Sequence, residues 1–338
     1  MSNMRIALIG TGSWGTAMAG LVASHGHTVT MWSYDPAPAR EINELHTNSC
    51  YLSDYTLPDT VSATCSHEEA LSGVDAVIFA VPSSFLRGVA RDCAPYIPDD
   101  LPVLCLAKGI ELGSGLLMSD VIGSEIGHPE RIAALSGPNH AEEICHGSLS
   151  ASTIACESME IGEFFKGLTL GPNFRVYLST DLVGVELCGA MKNVMAIICG
   201  IAAGSGMGDN ALALIMTRGL AEISRLVHAC GGEAMTCMGL AGMGDLIVTC
   251  TSRHSRNRSF GEAFAHGETL DEYQARRRMV VEGAAAAKSV SELARAKGVD
   301  VPFTFALEQL LYGDMTLEEA LEQLMNRMPG EEFYGLDE

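Results

Sequence analysis

Arg5-Ile6-Ala7-Leu8-Ile9-Gly10-Thr11-Gly12-Ser13-Trp14-Gly15-Thr16 decides the fold of this chain. Arg5 to Ile9 is a short apolar run of the kind that a parallel strand buried on both faces requires. It stops at glycines with the G-x-G-x-x-G spacing. Gly10 permits a tight turn, Gly12 lets backbone approach a pyrophosphate, and Gly15 lets the next helix pack closely on the strand. The helix predicted from Thr16 to Ser24 ends at Gly26, and its N-terminus turns free N–H groups and a positive dipole end toward phosphate. The context on both sides favours a dinucleotide-binding unit over a bland glycine turn. A secretory signal is disfavoured, because the glycines break any continuous apolar region.

Outward from this stretch, the predicted strands are Thr28–Trp32, Asp75–Val81, Pro102–Ala107, Arg131–Ser136, Ser150–Cys156 and Phe174–Leu178. Pro36 to Leu45 reads as a helix and His46 to Thr60 as a polar loop. At the end of the second strand, where an acid holds the ribose of NAD, stand Ser33 and Tyr34, with Asp35 beyond. Their uncharged hydroxyls admit NADP, and Asp35 keeps NAD open. Residues just past strand C-termini line the ligand crevice of an open parallel sheet, which makes Ser83, Ser84 and Lys108 candidates. After Thr180 strands vanish and small-residue helices take over. The fold class is therefore α/β, a Rossmann-like, mostly parallel sheet followed by an all-helical region. The expected domains are 1–179, binding dinucleotide, and 180–338, binding substrate. Thr316 and Glu319 form a capping box for the last helix, and the tail Glu331 to Glu338 reads as loose.

The 338 residues carry a formal charge of −21, with 47% hydrophobic and 19% charged residues. This excludes nucleic acid and anionic membrane surfaces as partners. Eleven cysteines without a C-x-x-C pair suit a reducing compartment, so the expected location is cytoplasmic. The apolar run Val194 to Gly204 is too short to span a bilayer, and no membrane span is expected. His140, Glu143, Cys145 and His146 lack the spacing of a metal set, and no metal is expected.

Two places carry chemistry. Lys192 lies in a helix with almost no other charge, where it either snorkels to water or is held in a site. Leu246 to Gly261 contains Arg253, Arg256 and Arg258 and no acid, a local reversal of sign that suits an anion site.

The chain resembles bacterial-type NAD(P)-dependent glycerol-3-phosphate dehydrogenase over nearly its whole length. The matching pieces include Gly10 to Thr16, Ala107-Lys108-Gly109, Leu135-Ser136-Gly137-Pro138, Gly184 to Asn193, Gly239 to Leu246, Ser255-Arg256-Asn257-Arg258 and Val281-Glu282-Gly283. The resemblance implies hydride transfer between NAD or NADP and the C2 carbon of dihydroxyacetone phosphate, giving sn-glycerol 3-phosphate for phospholipid synthesis. It assigns Lys192 as the catalytic proton donor. It assigns Lys108, Gly137, Asp245, Ser255, Arg256 and Asn257, with Lys192, to substrate. Cofactor contacts are implied at Gly10, Gly12, Ser13, Trp14, Gly15, Ser33, Tyr34, Lys108, Ala141, Arg256, Val280 and Glu282. Asn139-His140 replaces the family's hydroxyl-then-aromatic pair. The expected partner is the small-molecule substrate, and a homodimer is compatible with the sequence. Two alternatives remain open from the residues: a dehydrogenase acting on a different carbonyl, and a non-catalytic NAD(P) sensor.

Overall fold

A computed structural model describes residues 3–277, 280–328, 330–332 and 334–335. The chain forms two compact units, one of Met1–Ala107 with Met118–Leu182, the other of Lys108–Leu117 with Val183–Glu338.

The first unit is built on an eight-stranded sheet. Its strands are β1 (Arg5–Ile9), β2 (Thr28–Trp32), β5 (Val61–Thr64), β6 (Ala76–Phe79), β7 (Val103–Cys105), β8 (Ile132–Ser136), β9 (Ser150–Ala155) and β10 (Phe174–Ser179), and their order is β10-β9-β8-β7-β6-β1-β2-β5. Every pairing is parallel except β8 with β9. Ile6 to Ile9 and the whole of β6 are buried, as unbroken apolar strands must be when both faces are covered. The chain runs from β1 outward to β2 and β5, then returns past β1 to β6 and continues the other way. β1 and β6 thus flank the switch point of the sheet, where such folds bind ligands beyond the strand C-termini.

The polar loop expected from His46 to Thr60 contains a small antiparallel hairpin, β3 (Thr47–Asn48) with β4 (Leu52–Thr56). Side-chain bonds hold it in place. Glu41 accepts from Thr47 Oγ1 and Ser49 N at 2.8 and 2.7 Å, and Leu52 packs in a cluster with Ala17 and Ala141. The first two contacts are made by a polar side chain and the packing of Leu52 is remote in sequence, so hydrophobic periodicity reveals neither.

Among the described residues the second unit is helical apart from one bridge, Ile110 with Leu117. Its central helix, Leu182–Gly204, is 23 residues long, longer than the apolar run read from sequence and apolar enough to cross a membrane. Yet 83% of its most apolar window is buried within the protein. A glycine on each side lets it cross the helix Arg256–Ala265 closely: a Cβ at Gly200 would lie 2.1 Å from Arg258 O, and one at Gly261 of the crossing helix equally close to Ile197 O. The expected stop at Gly298 (φ 68°) and the Thr316–Glu319 capping box are both present.

The tail departs from the loose segment expected. Arg218 donates to Glu332 O at 2.7 Å, and the Arg225 guanidinium sits 4.3 Å from the Tyr334 ring centroid. Residues 333 and 336–338 of that segment lie outside the described residues.

Candidate active site

The glycine loop follows β1, and each glycine meets a different constraint. Gly10 adopts φ 122°, and a Cβ there would come 2.8 Å from Ala80 O. A Cβ at Gly15 would lie 2.4 Å from Gly10 O, so the helix Ser13–Ser24 seats on the strand only without a side chain. Gly12 is the opposite case, since a Cβ there would meet no atom within 4 Å. That open cradle before a helix N-terminus fits a pyrophosphate. The Trp14 indole N–H, buried and without an acceptor among the described residues, is a further donor for a bound group. The loop is braced by Asn48, whose Nδ2 donates to Thr11 O and Thr16 Oγ1 at 2.8 Å each, and by Ser13 Oγ donating to Tyr51 O at 3.1 Å.

At the end of β2 the two candidate residues part company. Ser33 is buried, donating to Asp35 O at 2.7 Å and bonded to Thr11 Oγ1 at 2.8 Å, while Tyr34 is exposed. The Asp35 carboxylate accepts from Ala37 N at 2.9 Å and caps the helix Pro36–Leu45. Gly137 backs onto β9, where a Cβ would meet Ala151 O at 2.7 Å, and Asn139 Nδ2 bonds to Ala151 O and Ser152 Oγ. Ala141 begins the short helix Ala141–Cys145 beside Trp14 and Ala17.

In the second unit, three residues far apart in sequence share one buried cluster. Lys192 projects from Leu182–Gly204 and donates to Asp245 Oδ1 and, at 2.9 Å, to Thr249 Oγ1. Lys108 reaches the other carboxylate oxygen, Oδ2, at 2.6 Å. Thr249 donates to Asp245 Oδ1 at 3.2 Å, from one turn along the helix Asp245–Thr251. Lys192 and Asp245 are 7% and 1% exposed, so these charges interact with little solvent screening. Burial lowers the Lys192 pKa to about 8; Asp245 opposes that shift and the neighbouring charge of Lys108 adds to it. Burial alone would raise the Asp245 carboxyl, but the two ammonium groups overcome it and hold it below its ordinary value.

Asn257 is tied to the same neighbourhood. It donates to Asn193 Oδ1, next in sequence to Lys192, and accepts from Gly283 N, both at 2.9 Å. Ser255 caps the helix Arg256–Ala265 by accepting from Arg258 N. Arg256 and Val280 line one pocket, and Glu282 opens the helix Glu282–Lys297. Arg258 is diverted, pairing with Glu262 at 3.0 Å and donating to Thr251 O.

The model of the NAD-dependent glycerol-3-phosphate dehydrogenase N-terminus matches residues 5–162, and that of the C-terminus matches residues 181–322. The chain belongs to the NAD-dependent glycerol-3-phosphate dehydrogenase family. It is 44% identical to glycerol-3-phosphate dehydrogenase [NAD(P)+] of Corynebacterium diphtheriae, over 96% of this chain and 98% of that one. The enzyme of the same name from Shouchella clausii is 41% identical over 98% of each chain. The solved structure of glycerol-3-phosphate dehydrogenase from Coxiella burnetii superposes with a TM-score of 0.92 at 36% identity, covering 96% of this chain and 99% of that one. The family is NAD(P)-dependent.

Three residues of these clusters escaped the sequence reading. Thr249 stands four residues from Asp245, a spacing that puts both on one helix face once that stretch is read as helix. Asn193 carried the signal of adjacency to Lys192. Asn48 carried none, because it reaches the glycine loop from a hairpin that the pattern did not disclose.

Proposed function

We propose that the protein catalyses the reversible, NAD(P)H-dependent reduction of dihydroxyacetone phosphate to sn-glycerol 3-phosphate, supplying the glycerol phosphate backbone for phospholipid synthesis. The observation that carries this reading is the buried Lys192–Asp245–Lys108 cluster. When bound, the reduced nicotinamide supplies the hydride that adds to C2. Gly10, Gly12, Ser13, Trp14 and Gly15 would hold the dinucleotide at the first unit. Adding hydride to a carbonyl builds negative charge on oxygen, and a preorganised cation nearby lowers that barrier. Two lysines and one aspartate leave a surplus of one positive charge in the cluster. Lys192 Nζ then gives its proton to the C2 oxygen, with Asp245 and Thr249 fixing the ammonium. Because Asp245 divides its carboxylate between two lysines, its hold on the Lys192 proton is weakened. In oxidation neutral Lys192 takes the proton back.

Lys108, Asn257 and Arg256 are proposed to bind substrate, Arg256 through the phosphate. Cys50, Cys65, Cys93, Cys145, Cys156, Cys199, Cys230 and Cys250 are free thiols, which supports placement in the reducing cytoplasm. The reading is tested by mixing dihydroxyacetone phosphate with NADH, and separately with NADPH, and following loss of the reduced cofactor. Turnover with at least one is expected; turnover with neither would contradict the proposal.

A further inference from the structure

Three guanidinium groups that form no salt bridge among the described residues line one pocket of the second unit, although Glu268, paired with Arg276, also attracts Arg277 from a distance. The pocket has a volume of about 150 Å³ and is bounded by Arg253, Arg256, Arg277, Ser259, Tyr273 and Val280. Arg253 and Arg256 flank the cap residue Ser255, and Arg277 ends a separate helix, Leu270–Arg277. All three arginines are exposed. Several other exposed guanidiniums of this acidic chain are neutralised, Arg91 by Glu125, Arg276 by Glu268, Arg295 by Glu308 and Arg327 by Asp300, while the exposed Arg40 and Arg175 form no ion pair among the described residues but stand singly rather than around one cavity. Arg258, adjacent in sequence, is neutralised by Glu262. Three like charges around one cavity make a local positive potential in an otherwise acidic chain, which favours an anion there.

Guanidinium forks match phosphate oxygens in pairs, which a lysine cannot do. The cavity is about half the lower end of the roughly 300–1,000 Å³ typical of drug-sized ligands, so its occupant is compact. We propose that Arg253 and Arg277 complete, with Arg256, a phosphate-binding pocket, and that they are specificity-determining residues for a phosphorylated ligand. The phosphate group is either that of the substrate or one belonging to the dinucleotide. Only this choice of source rests on the dehydrogenase reading; the pocket itself does not.

The test uses the full chain and the double variant Arg253→Gln with Arg277→Gln, surface changes whose folding is checked by an unchanged melting temperature. Inorganic phosphate is titrated calorimetrically into the cofactor-free protein at about 0.15 M ionic strength, where exposed charges beyond about 8 Å are screened. Phosphate should bind the parent, and about tenfold more weakly the variant, the lower end of what a charged hydrogen bond contributes. In parallel, kcat/KM is measured for dihydroxyacetone phosphate at saturating NADH, and for NADH at saturating dihydroxyacetone phosphate. A drop of about tenfold in the first assigns the pocket to the substrate's phosphate, and a drop in the second assigns it to the dinucleotide. Absent or unchanged phosphate binding overturns the pocket. Weaker phosphate binding with both kinetic ratios unchanged overturns the specificity role. A parent protein that fails to turn over dihydroxyacetone phosphate leaves the titration intact and breaks only the dehydrogenase reading.

Discussion

Between Ile9 and Thr16 the first unit works with backbone: a positive-φ glycine, an open cradle at Gly12, a helix N-terminus and no charged side chain. Around Asp245 the second unit works with buried charge: two ammonium groups on one carboxylate, with Lys192 and Asp245 shielded from solvent and Lys108 partly so. The first arrangement suits a ligand that must be recognised, held and released many times, since backbone donors need no change of protonation. The second suits a step in which charge and a proton move, because low dielectric magnifies each interaction and shifts the lysine pKa toward neutrality. On the proposed reading the pyrophosphate is held in one unit and the proton chemistry lies in the other, and variants can break that division.

The largest effect is expected at Lys192. Lys192→Ala should lower kcat by about 10²- to 10⁴-fold, the usual worth of a general acid, while cofactor affinity measured by nicotinamide fluorescence stays nearly unchanged. Parallel loss of cofactor affinity would mean that Lys192 holds the fold or the dinucleotide, and the division would fail.

Arg256→Ala comes next. Hydrogen bonds to charged groups contribute about 1.5–3 kcal/mol, so kcat/KM for dihydroxyacetone phosphate should fall about 10- to 200-fold with NADH as cofactor. Dihydroxyacetone without its phosphate should be a poor substrate that the change hardly affects. Equal losses on both substrates would remove Arg256 from phosphate recognition.

The smallest effects sharpen the backbone side. Gly15→Ala forces a Cβ to 2.4 Å from a carbonyl oxygen and should destabilise the protein by about 1–3 kcal/mol, read as a lower Tm. Gly12→Ala has free space and an ordinary backbone conformation (φ −69°, ψ 176°), so Tm should hold while KM for the cofactor rises several-fold. A Gly12→Ala enzyme with an unaltered cofactor KM would place the pyrophosphate elsewhere.

The same contrast explains what could be read without coordinates. The cofactor loop was legible because its constraints lie within six consecutive residues, Gly10 to Gly15, flanked by a strand and a helix that carry their own periodicity. Seven of the eight strands of the sheet were legible as strand runs, whereas the edge strand β5 (Val61–Thr64), four residues long and half exposed, was missed; Gly298, Pro302 and Thr316 marked helix ends by local rules. The charged cluster was not legible from local pattern: Lys108 and Asp245 are 137 positions apart, Lys192 and Asp245 are 53, and only the family resemblance drew them together. Local reading also misjudged Arg258. Its charge counted toward the anion site, but a glutamate one helical turn on, at Glu262, neutralises it, and Arg277 from another helix lines the pocket instead. The hairpin β3–β4 was missed because its strands are short and fixed by Glu41 and Leu52 rather than by alternation.

The central claim is that Lys192 donates and accepts the proton with a pKa lowered by burial, and the pH dependence of kcat/KM in both directions tests it most directly. Reduction needs the ammonium form, so kcat/KM for dihydroxyacetone phosphate should be level below about pH 8 and fall above it. Oxidation needs the neutral amine, so kcat/KM for sn-glycerol 3-phosphate should rise with pH and level off above about 8. Two opposed profiles that break at a common pH near 8 are the predicted result. A break near the ordinary lysine value of 10.5, or profiles that bend in the same direction, would contradict the account.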